Sequence, residues 1–496
     1  MSRPRRVVVV GAGITGLTAA HRLRASADRS DAIDVTVVEA SPRVGGKLRT
    51  GEVAGLPVET GPDSFVVRKP WAVDLCIELG LGSDLVVPAA SGAFVWARGR
   101  MIPFPRGTAF GVPSDLETVL RWPGLTARGR LAAMLDLWRR APAVPAGAGD
   151  DEPLGELLAR RLGREAAGVL AGPVVAGIHA GDPARMSVAA TFPELRAWER
   201  GHGSLIRGAK AASKAGRKDG RGAGPLFATV DGGLERLVDA LAGDRTRILT
   251  GLRVDRIEAG IDAPYLVVAG ERRLLADGVI VATPAAAAAA ALAGLAPESA
   301  PPLHELRSVS TATVTLVYPP GTADRLPDAT GLLVPARNPA DTLDPSGPQV
   351  VTAFTWLSRK WPRPDLGDRA VVRCFVGRDG DEAALDLDDD RLGAAVAADV
   401  ERTTPIGASS EATLVTRWPG GMPQYDVGHL ARVAAATDAL EAAAPGVLLA
   451  GAAYGGIGIA DCVRQGGEAA GRVRAFLDAR RTEGATNRPE EATSTR

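Results

Sequence analysis

Cysteine is scarce in this chain of 496 residues, with Cys76, Cys374 and Cys462 the only three. They are odd in number, far apart and form no CxxC pair, which excludes a disulfide framework and a cysteine-based zinc site and fits a reducing cytoplasm. Net charge is missing too. Lys plus Arg and Asp plus Glu both number 58, so no overall field draws the molecule onto nucleic acid or an acidic membrane. The five histidines, His21, His179, His202, His304 and His429, show no metal-ligand spacing. Long apolar runs are absent as well. After the basic start Met1–Arg6 the apolar stretch spans only Val7–Val10, too short for a signal peptide. The uncharged stretch Gly278–Pro297 is mostly alanine, contains Pro284, and reads as a short strand followed by a helix rather than a membrane span. No period of about 20 to 50 residues repeats, which excludes solenoids and propellers.

What is present is the composition of a folded enzyme-sized body: 46% hydrophobic and 23% charged residues, in a chain long enough for two to four units at about 150 residues each. Val7–Val10, a helical pattern over Leu17–Leu23 and Val35–Val38 predict strand, helix, strand, the opening of a parallel sheet. From Leu116 to Lys214 the pattern is helical. Leu131, Met134, Leu135 and Trp138 form one face, read as core although Arg128, Arg130, Arg139 and Arg140 flank it, and Pro142–Gly149 is a linker. Lys210–Gly224, rich in Lys, Arg and Gly, reads as an exposed loop. Strand signals at Arg247–Ile257, Tyr265–Val268, Gly278–Ala282, Ala312–Val317 and Val371–Val376 predict a second sheet, and the polar tail after Ala479 is expected to be disordered.

The chemistry-bearing motif is Gly11-Ala12-Gly13-Ile14-Thr15-Gly16, directly after the first strand. Gly11 permits the tight turn, Gly13 lets backbone N–H groups approach a pyrophosphate, and Gly16 lets the helix pack on the strand. Glu39 ends the second strand, placed to accept from a ribose hydroxyl, so the pair predicts dinucleotide binding. Downstream, Ser41-Pro42-Arg43-Val44-Gly45-Gly46-Lys47 adds a second glycine pair between two cations, which suits a long buried FAD. Near the other end, Val447–Gly451 reads as a strand leading through Ala452–Ala460 into a helix, with Asp461 as its N-cap. That helix N-terminus suits negative charge on a flavin pyrimidine. Val230-Asp231-Gly232-Gly233-Leu234 precedes an amphipathic helix and a strand containing Val254.

The glycine doublet resembles that of the flavin amine oxidase and protoporphyrinogen oxidase superfamily. Further matches are Glu59-Thr60-Gly61-Pro62-Asp63-Ser64-Phe65 with Arg68-Lys69-Pro70, Gly177-Ile178-His179-Ala180-Gly181-Asp182, Thr191-Phe192-Pro193 and Gly421-Met422-Pro423-Gln424-Tyr425. On these the chain resembles the protoporphyrinogen oxidase family, most of all its Gram-positive coproporphyrinogen III oxidase branch, over nearly all of residues 5 to 478. The resemblance implies an α/β (α+β) fold with three units. These are a discontinuous Rossmann-like FAD-binding domain (1–52, 226–290, 432–478), a mixed-sheet substrate domain (53–96, 213–225, 291–431) and a helical domain (97–212), followed by a tail (479–496). It implies FAD contacts from Gly11, Ala12, Gly13, Ile14, Thr15, Gly16, Glu39, Ala40, Gly46, Lys47, Gly61, Pro62, Asp63, Ser64, Val254, Trp418, Ile457, Gly458 and Ile459.

For the substrate it implies Gly177, unless that glycine serves only as a helix cap or turn, together with His179, Arg68 and Lys69; Arg98 and Arg100 are further candidates for propionate groups. The implied reaction is oxygen-dependent oxidation of coproporphyrinogen III, with hydrogen peroxide formed and a ferrochelatase as possible partner. The alternatives are a protoporphyrinogen IX oxidase, or a flavin amine oxidase or carotenoid desaturase sharing only the cofactor domain. The arginine that plant and animal protoporphyrinogen oxidases carry before an aromatic is absent at Ala93-Phe94. At most peripheral membrane contact and no metal are expected.

Overall fold

The computed structural model describes residues 4–25, 33–139, 151–218, 224–243, 246–336 and 348–486. The expected linker Pro142–Gly149 and the flanking Arg140 lie outside them. The run of four valines in Arg5–Val10 (β1) is buried on both faces, as befits the centre of a parallel sheet. Helix α1 (Ile14–Ala25) follows, then β2 (Ile33–Val38). Three short segments from far down the chain complete the sheet: Arg247–Leu249 (β3), Gly278–Val281 (β4) and Val447–Leu449 (β5). The order is β3-β2-β1-β4-β5, with every pairing parallel. Chain direction therefore splits at β1, whose neighbours β2 and β4 lie on opposite sides, and a crevice opens at the carboxyl ends of these strands.

Two sequence expectations change here. Gly278–Val281 and Arg247–Leu249 join the first sheet rather than a second one, because their apolar residues are needed to extend the parallel core. Arg247–Ile257 is not one strand either. It breaks after Leu249, and Val254 stands in the irregular stretch before the strand Arg256–Ala259.

A separate seven-stranded sheet does exist, in the order Ala412–Pro423, Ser308–Val317, Val371–Val376, Val351–Trp356, Gly331–Leu333, Phe94–Ala97 and Arg100–Pro103. It is antiparallel except where Gly331–Leu333 runs parallel to Phe94–Ala97. Its buried face gathers Val314, Leu316, Phe354, Trp356, Val372 and Val376.

The middle of the chain is helical, as its periodicity predicts, but two of its details differ. Leu131, Leu135 and Trp138 are 58%, 41% and 68% exposed, not core. The short helix Ala127–Met134 buries Gly129 and Ala133 instead, and a side chain at Gly129 would strike the Glu165 carboxylate at 2.1 Å. Close approach through small residues turns the large ones outward. The supposed loop at Lys210–Gly224 is in fact mostly helix: Leu205–Lys218 runs through it, anchored by buried Leu205, Ile206 and Ala209. It also crosses the expected domain boundary at residue 213. The helical unit is further tied by Arg161, fully buried, whose guanidinium meets Asp136 at 2.6 Å and donates to the Gly203 carbonyl at 2.6 Å.

The last helix spans Ile459–Thr486, so the start of the expected disordered tail is helical. It packs closely on α1 near its start, where a side chain at Gly466 would meet the Thr15 carbonyl at 2.4 Å, its burial ends at Leu477, and from Ala479 the helix runs on exposed. No helix among the described residues is long and apolar enough to cross a membrane.

Candidate functional site

The loop between β1 and α1 lies at the crevice. Gly11 takes φ +102°, and its N–H donates to Val38 C=O at 2.8 Å. A side chain at Gly16 would stand 1.9 Å from the Gly11 carbonyl oxygen, so α1 can leave the strand at this angle only because Gly16 has none. Gly13 is different: its missing Cβ would meet nothing within 4 Å. The room in front of Gly13 is thus free of protein, beside N–H groups at the start of α1 where an anion is favoured.

Glu39 closes one side. Its carboxylate accepts from the Ala12 N–H at 2.7 Å and from the Ser41 N–H at 2.8 Å, each oxygen keeping a lone pair for a further donor. Residues 39–41 pair with the chain leading to Val254, through Leu252 N–H to Glu39 C=O at 2.9 Å and Gly251 N–H to Ser41 C=O at 2.8 Å. Ala40 and the Val254 segment are therefore neighbours of Glu39. The Gly45-Gly46 turn packs on the first loop, with Gly45 N–H donating to Ala12 C=O at 2.8 Å, and Arg43 braces it through the carbonyls of Val44 and Gly46.

Lys47 runs inward and donates to the Gly421 carbonyl, and burial lowers its ammonium pKa. Gly61 backs on the same turn, since a side chain there would stand 2.0 Å from Lys47 C=O. The Trp418 indole N–H donates to the Thr60 carbonyl at 3.0 Å. Pro62 is exposed beside them. Asp63 points away into an ionic knot. It meets Lys360 at 2.9 Å and Arg373 at 3.1 Å, accepts from Trp361 at 3.2 Å, and is joined by the Ser64 hydroxyl at 3.0 Å. Burial works to raise its pKa, but Arg373 and Lys360 outweigh that and hold the carboxyl well below the usual range. The side chains of Asp63 and Ser64, both expected near the cofactor, are engaged with the wall behind Gly61.

Glu59, two residues before Gly61 at the end of the strand Leu56–Glu59, accepts from Leu234 N–H at 2.6 Å while its other oxygen has no partner among the described residues. Burial pushes this carboxyl up to about 7. The folded chain then keeps a proton that the unfolded chain loses near pH 4, so Glu59 favours folding below that pH, and the contribution fades as pH rises toward 7. Glu59→Gln is expected to match the wild type in urea unfolding near pH 4 and to exceed it by about 2 kcal/mol at pH 8. Parallel stability curves would contradict this.

The C-terminal glycine stretch arrives from β5. Gly458 C=O accepts the Cys462 N–H at 2.9 Å, so the cap of the last helix is Gly458 and Asp461 lies inside its first turn. The glycine can take the cap because Lys69 occupies Asp461 instead, at 2.6 and 2.8 Å. Ile457, Gly458 and Ile459 thus form the helix start, and Cys462 neighbours both Thr15 and Lys47. Three distant stretches converge on one crevice.

Of the substrate candidates, Gly177 and His179 end the helix Gly172–His179 rather than a loop. Gly177 is exposed, and its missing Cβ would meet only the Leu333 side chain, at 3.7 Å. His179 turns inward; burial lowers its pKa to about 4, so the ring is neutral. Lys69 is held by Asp461, whereas Arg68 is exposed with no ion pair among the described residues. Arg98 and Arg100 are also exposed, at a two-residue hairpin tip where Arg98 and Gly99 both take positive φ. Sequence reasoning missed Thr283, just past the end of β4, whose hydroxyl is buried beside Gly11 without a partner among the described residues. A residue at the carboxyl end of a strand next to the switch point was the available signal.

An open space before Gly13, a carboxylate with lone pairs to spare, an orphaned hydroxyl and a helix N-terminus make the donor and acceptor set of a dinucleotide. Comparison with known proteins agrees. The model of the flavin containing amine oxidoreductase family matches residues 14–474. The coproporphyrinogen III oxidase of Bacillus subtilis is 34% identical over 483 residues, covering 95% of this chain and 98% of that protein. That of Mycobacterium tuberculosis (strain ATCC 25618 / H37Rv) is 34% identical over 482 residues, covering 96% and 99%. A crystal structure of a protein from Exiguobacterium sp. 255-15 superposes with a TM-score of 0.81 at 31% identity, over 96% of this chain and 100% of that one. The chain belongs to the flavin containing amine oxidoreductase family, and its cofactor is FAD.

Proposed function

We propose that this protein oxidises coproporphyrinogen III to coproporphyrin III in haem biosynthesis, with dioxygen taking the electrons and hydrogen peroxide released. The observation that carries the reading is the near end-to-end match to coproporphyrinogen III oxidases from two bacteria. Bound FAD would supply the hydride acceptor for a saturated bridge carbon.

The chain's own residues would do the rest. Gly13 and the start of α1 face the pyrophosphate; Glu39 takes the ribose; Ile457, Gly458 and Ile459 present a helix N-terminus to the flavin. Gly46, Lys47, Gly61 and Trp418 form the wall between, and Val254 lies on the adenine side. Gly177 would leave a flat face for the macrocycle, and the exposed Arg68, Arg98 and Arg100 are cations open to a propionate. Three buried free thiols suit a cytoplasmic site of action. Any contact with a lipid surface would fall on the exposed stripe of Leu131, Leu135 and Trp138. A ferrochelatase that takes the product is the expected protein partner.

The discriminating experiment is anaerobic mixing of the holoenzyme with each reduced porphyrinogen while flavin absorbance is followed. Coproporphyrinogen III should bleach the flavin at least tenfold faster than protoporphyrinogen IX; bleaching by the latter alone would refute the assignment. Gly177→Phe is expected to lower kcat/KM by about 100-fold, or about 2.7 kcal/mol, with FAD still bound, because the ring would project from the exposed Gly177 position, where a Cβ makes only an ordinary contact with Leu333 at 3.7 Å. Unchanged turnover would remove Gly177 from the substrate face.

A further inference from the structure

Behind the candidate site a column of rings joins the end of the Gly172–His179 helix to the C-terminal glycine loop. Tyr425 and His429 stack with centroids 3.8 Å apart and planes inclined by 14°, and the His179 ring stands tilted to Tyr425 at 5.9 Å. An ordinary core would fill such a position with apolar side chains. This one instead keeps four buried polar atoms with no partner among the described residues: His179 Nδ1, His429 Nδ1, Gln424 Oε1 and Tyr454 Oη. Such groups are costly to bury, which sets the region apart from plain packing.

The Tyr425 hydroxyl has both its roles filled. It donates to Ala452 C=O at 2.8 Å and accepts from Gly456 N–H at 2.8 Å, fixing the loop at two points. Gln465, in the second turn of the last helix, grips the same loop through Gly451 N–H at 3.2 Å and Gly456 C=O at 3.3 Å. Both Gly451 (φ +132°) and Gly456 (φ +117°) take conformations open to glycine, so the loop has little stiffness of its own. It leads through Ile457 into the helix start at Gly458 and Ile459.

We propose that Tyr425 is a positioning residue for the flavin: its hydroxyl holds loop 452–456, and through it the first turn of the last helix, at a fixed distance from the bound ring. The proposal rests on the FAD-dependent reading given above. A helix N-terminus stabilises negative charge on the flavin only within about one turn. Loosening the loop therefore weakens that stabilisation without removing any group that touches substrate.

The test uses purified holoenzyme and Tyr425→Phe, which keeps the ring stack and deletes the hydroxyl. The midpoint potential of bound FAD should shift to more negative values, the FAD dissociation constant should rise at least fivefold, and kcat should fall while KM holds. Tyr265→Phe is the control. Tyr265 donates its buried hydroxyl to Pro445 C=O, at the opposite end of β5 from the glycine loop; its variant should lower Tm with no change in potential. If Tyr425→Phe gives no folded protein, Gln465→Met cuts the other two bonds to the same loop and should shift the potential in the same direction. A potential unchanged in whichever of these variants folds, with only Tm affected as in the control, overturns the proposal. Wild-type protein that binds no FAD would instead overturn the functional reading.

Discussion

Gly13→Val is expected to yield a folded protein that purifies without FAD, whereas Gly16→Val should lose both the cofactor and the fold around it. The two glycines are three residues apart, Gly13 in the loop and Gly16 in the first turn of α1, and differ in what a side chain would meet. At Gly16 a Cβ stands 1.9 Å from the Gly11 carbonyl oxygen and 3.2 Å from Val9. Neither backbone can yield without lifting α1 off β1, and that contact helps to anchor the core formed by Val7, Val9 and Leu17. Overpacking of this kind costs about 1–3 kcal/mol and more where backbone is struck. At Gly13 the same Cβ meets no atom of the chain within 4 Å. Valine there costs only the difference between a glycine and a β-branched residue at a helix start, about 1 kcal/mol or less. The space it fills is the one the pyrophosphate needs. FAD affinity should fall by about 100-fold or more, equivalent to about 2.7 kcal/mol, while the urea midpoint of the apoprotein barely moves. Flavin fluorescence titration and urea unfolding of both variants check this. If Gly13→Val binds FAD normally, the pyrophosphate does not lie where this loop puts it.

The local parts of this site are legible in the sequence because each answers a local demand. Gly11, Gly13 and Gly16 are needed by the turn, the anion and the packing, and Glu39 falls at the end of a strand whose valines mark it. The strand Val447–Leu449 and the helix after the glycine stretch are read the same way. What the sequence hides depends on which segments meet. Asp63 carries the residue type of a cofactor ligand, but its partners Lys360 and Arg373 lie about 300 positions away, and only the fold shows that it serves the wall. Lys69 reads as a substrate cation, and only the fold shows that Asp461 stands against it. The Leu131–Trp138 stripe has the spacing of a core face, yet Gly129 and Ala133 are the buried residues of that helix, with the Glu165 carboxylate set against Gly129. Periodicity reports that a face exists. It does not say which face a tight crossing selects.

Asp63→Asn is expected to destabilise the protein by about 3–5 kcal/mol at pH 7, the cost of leaving buried cations without their counter-charge. The Asp63 carboxylate is 7% exposed, and it neutralises Lys360 and Arg373 together while accepting from the Trp361 indole. Arg373 in turn donates to the carbonyls of Glu59 and Gly61 at 3.0 and 2.9 Å, so the charge cluster fixes the turn after the strand Leu56–Glu59, which carries Gly61 against Lys47. Asparagine fits the volume and can still accept one hydrogen bond, but two cations then face each other across a neutral amide. The pH dependence identifies the cause. Arg373 and Lys360 hold the Asp63 pKa below its unfolded value, so its contribution is complete above about pH 4 and is lost as pH falls toward the folded value. The gap between wild type and Asp63→Asn should therefore stay constant from pH 8 to pH 5 and close only in acid, by urea unfolding at each pH. FAD affinity should fall along with stability, because the Gly61 wall shifts once Arg373 is released. A variant as stable as wild type at pH 7 would mean that the three charges are not the coupled unit described here; a gap that instead closed toward alkaline pH would point to Glu59, whose titration runs in the opposite direction.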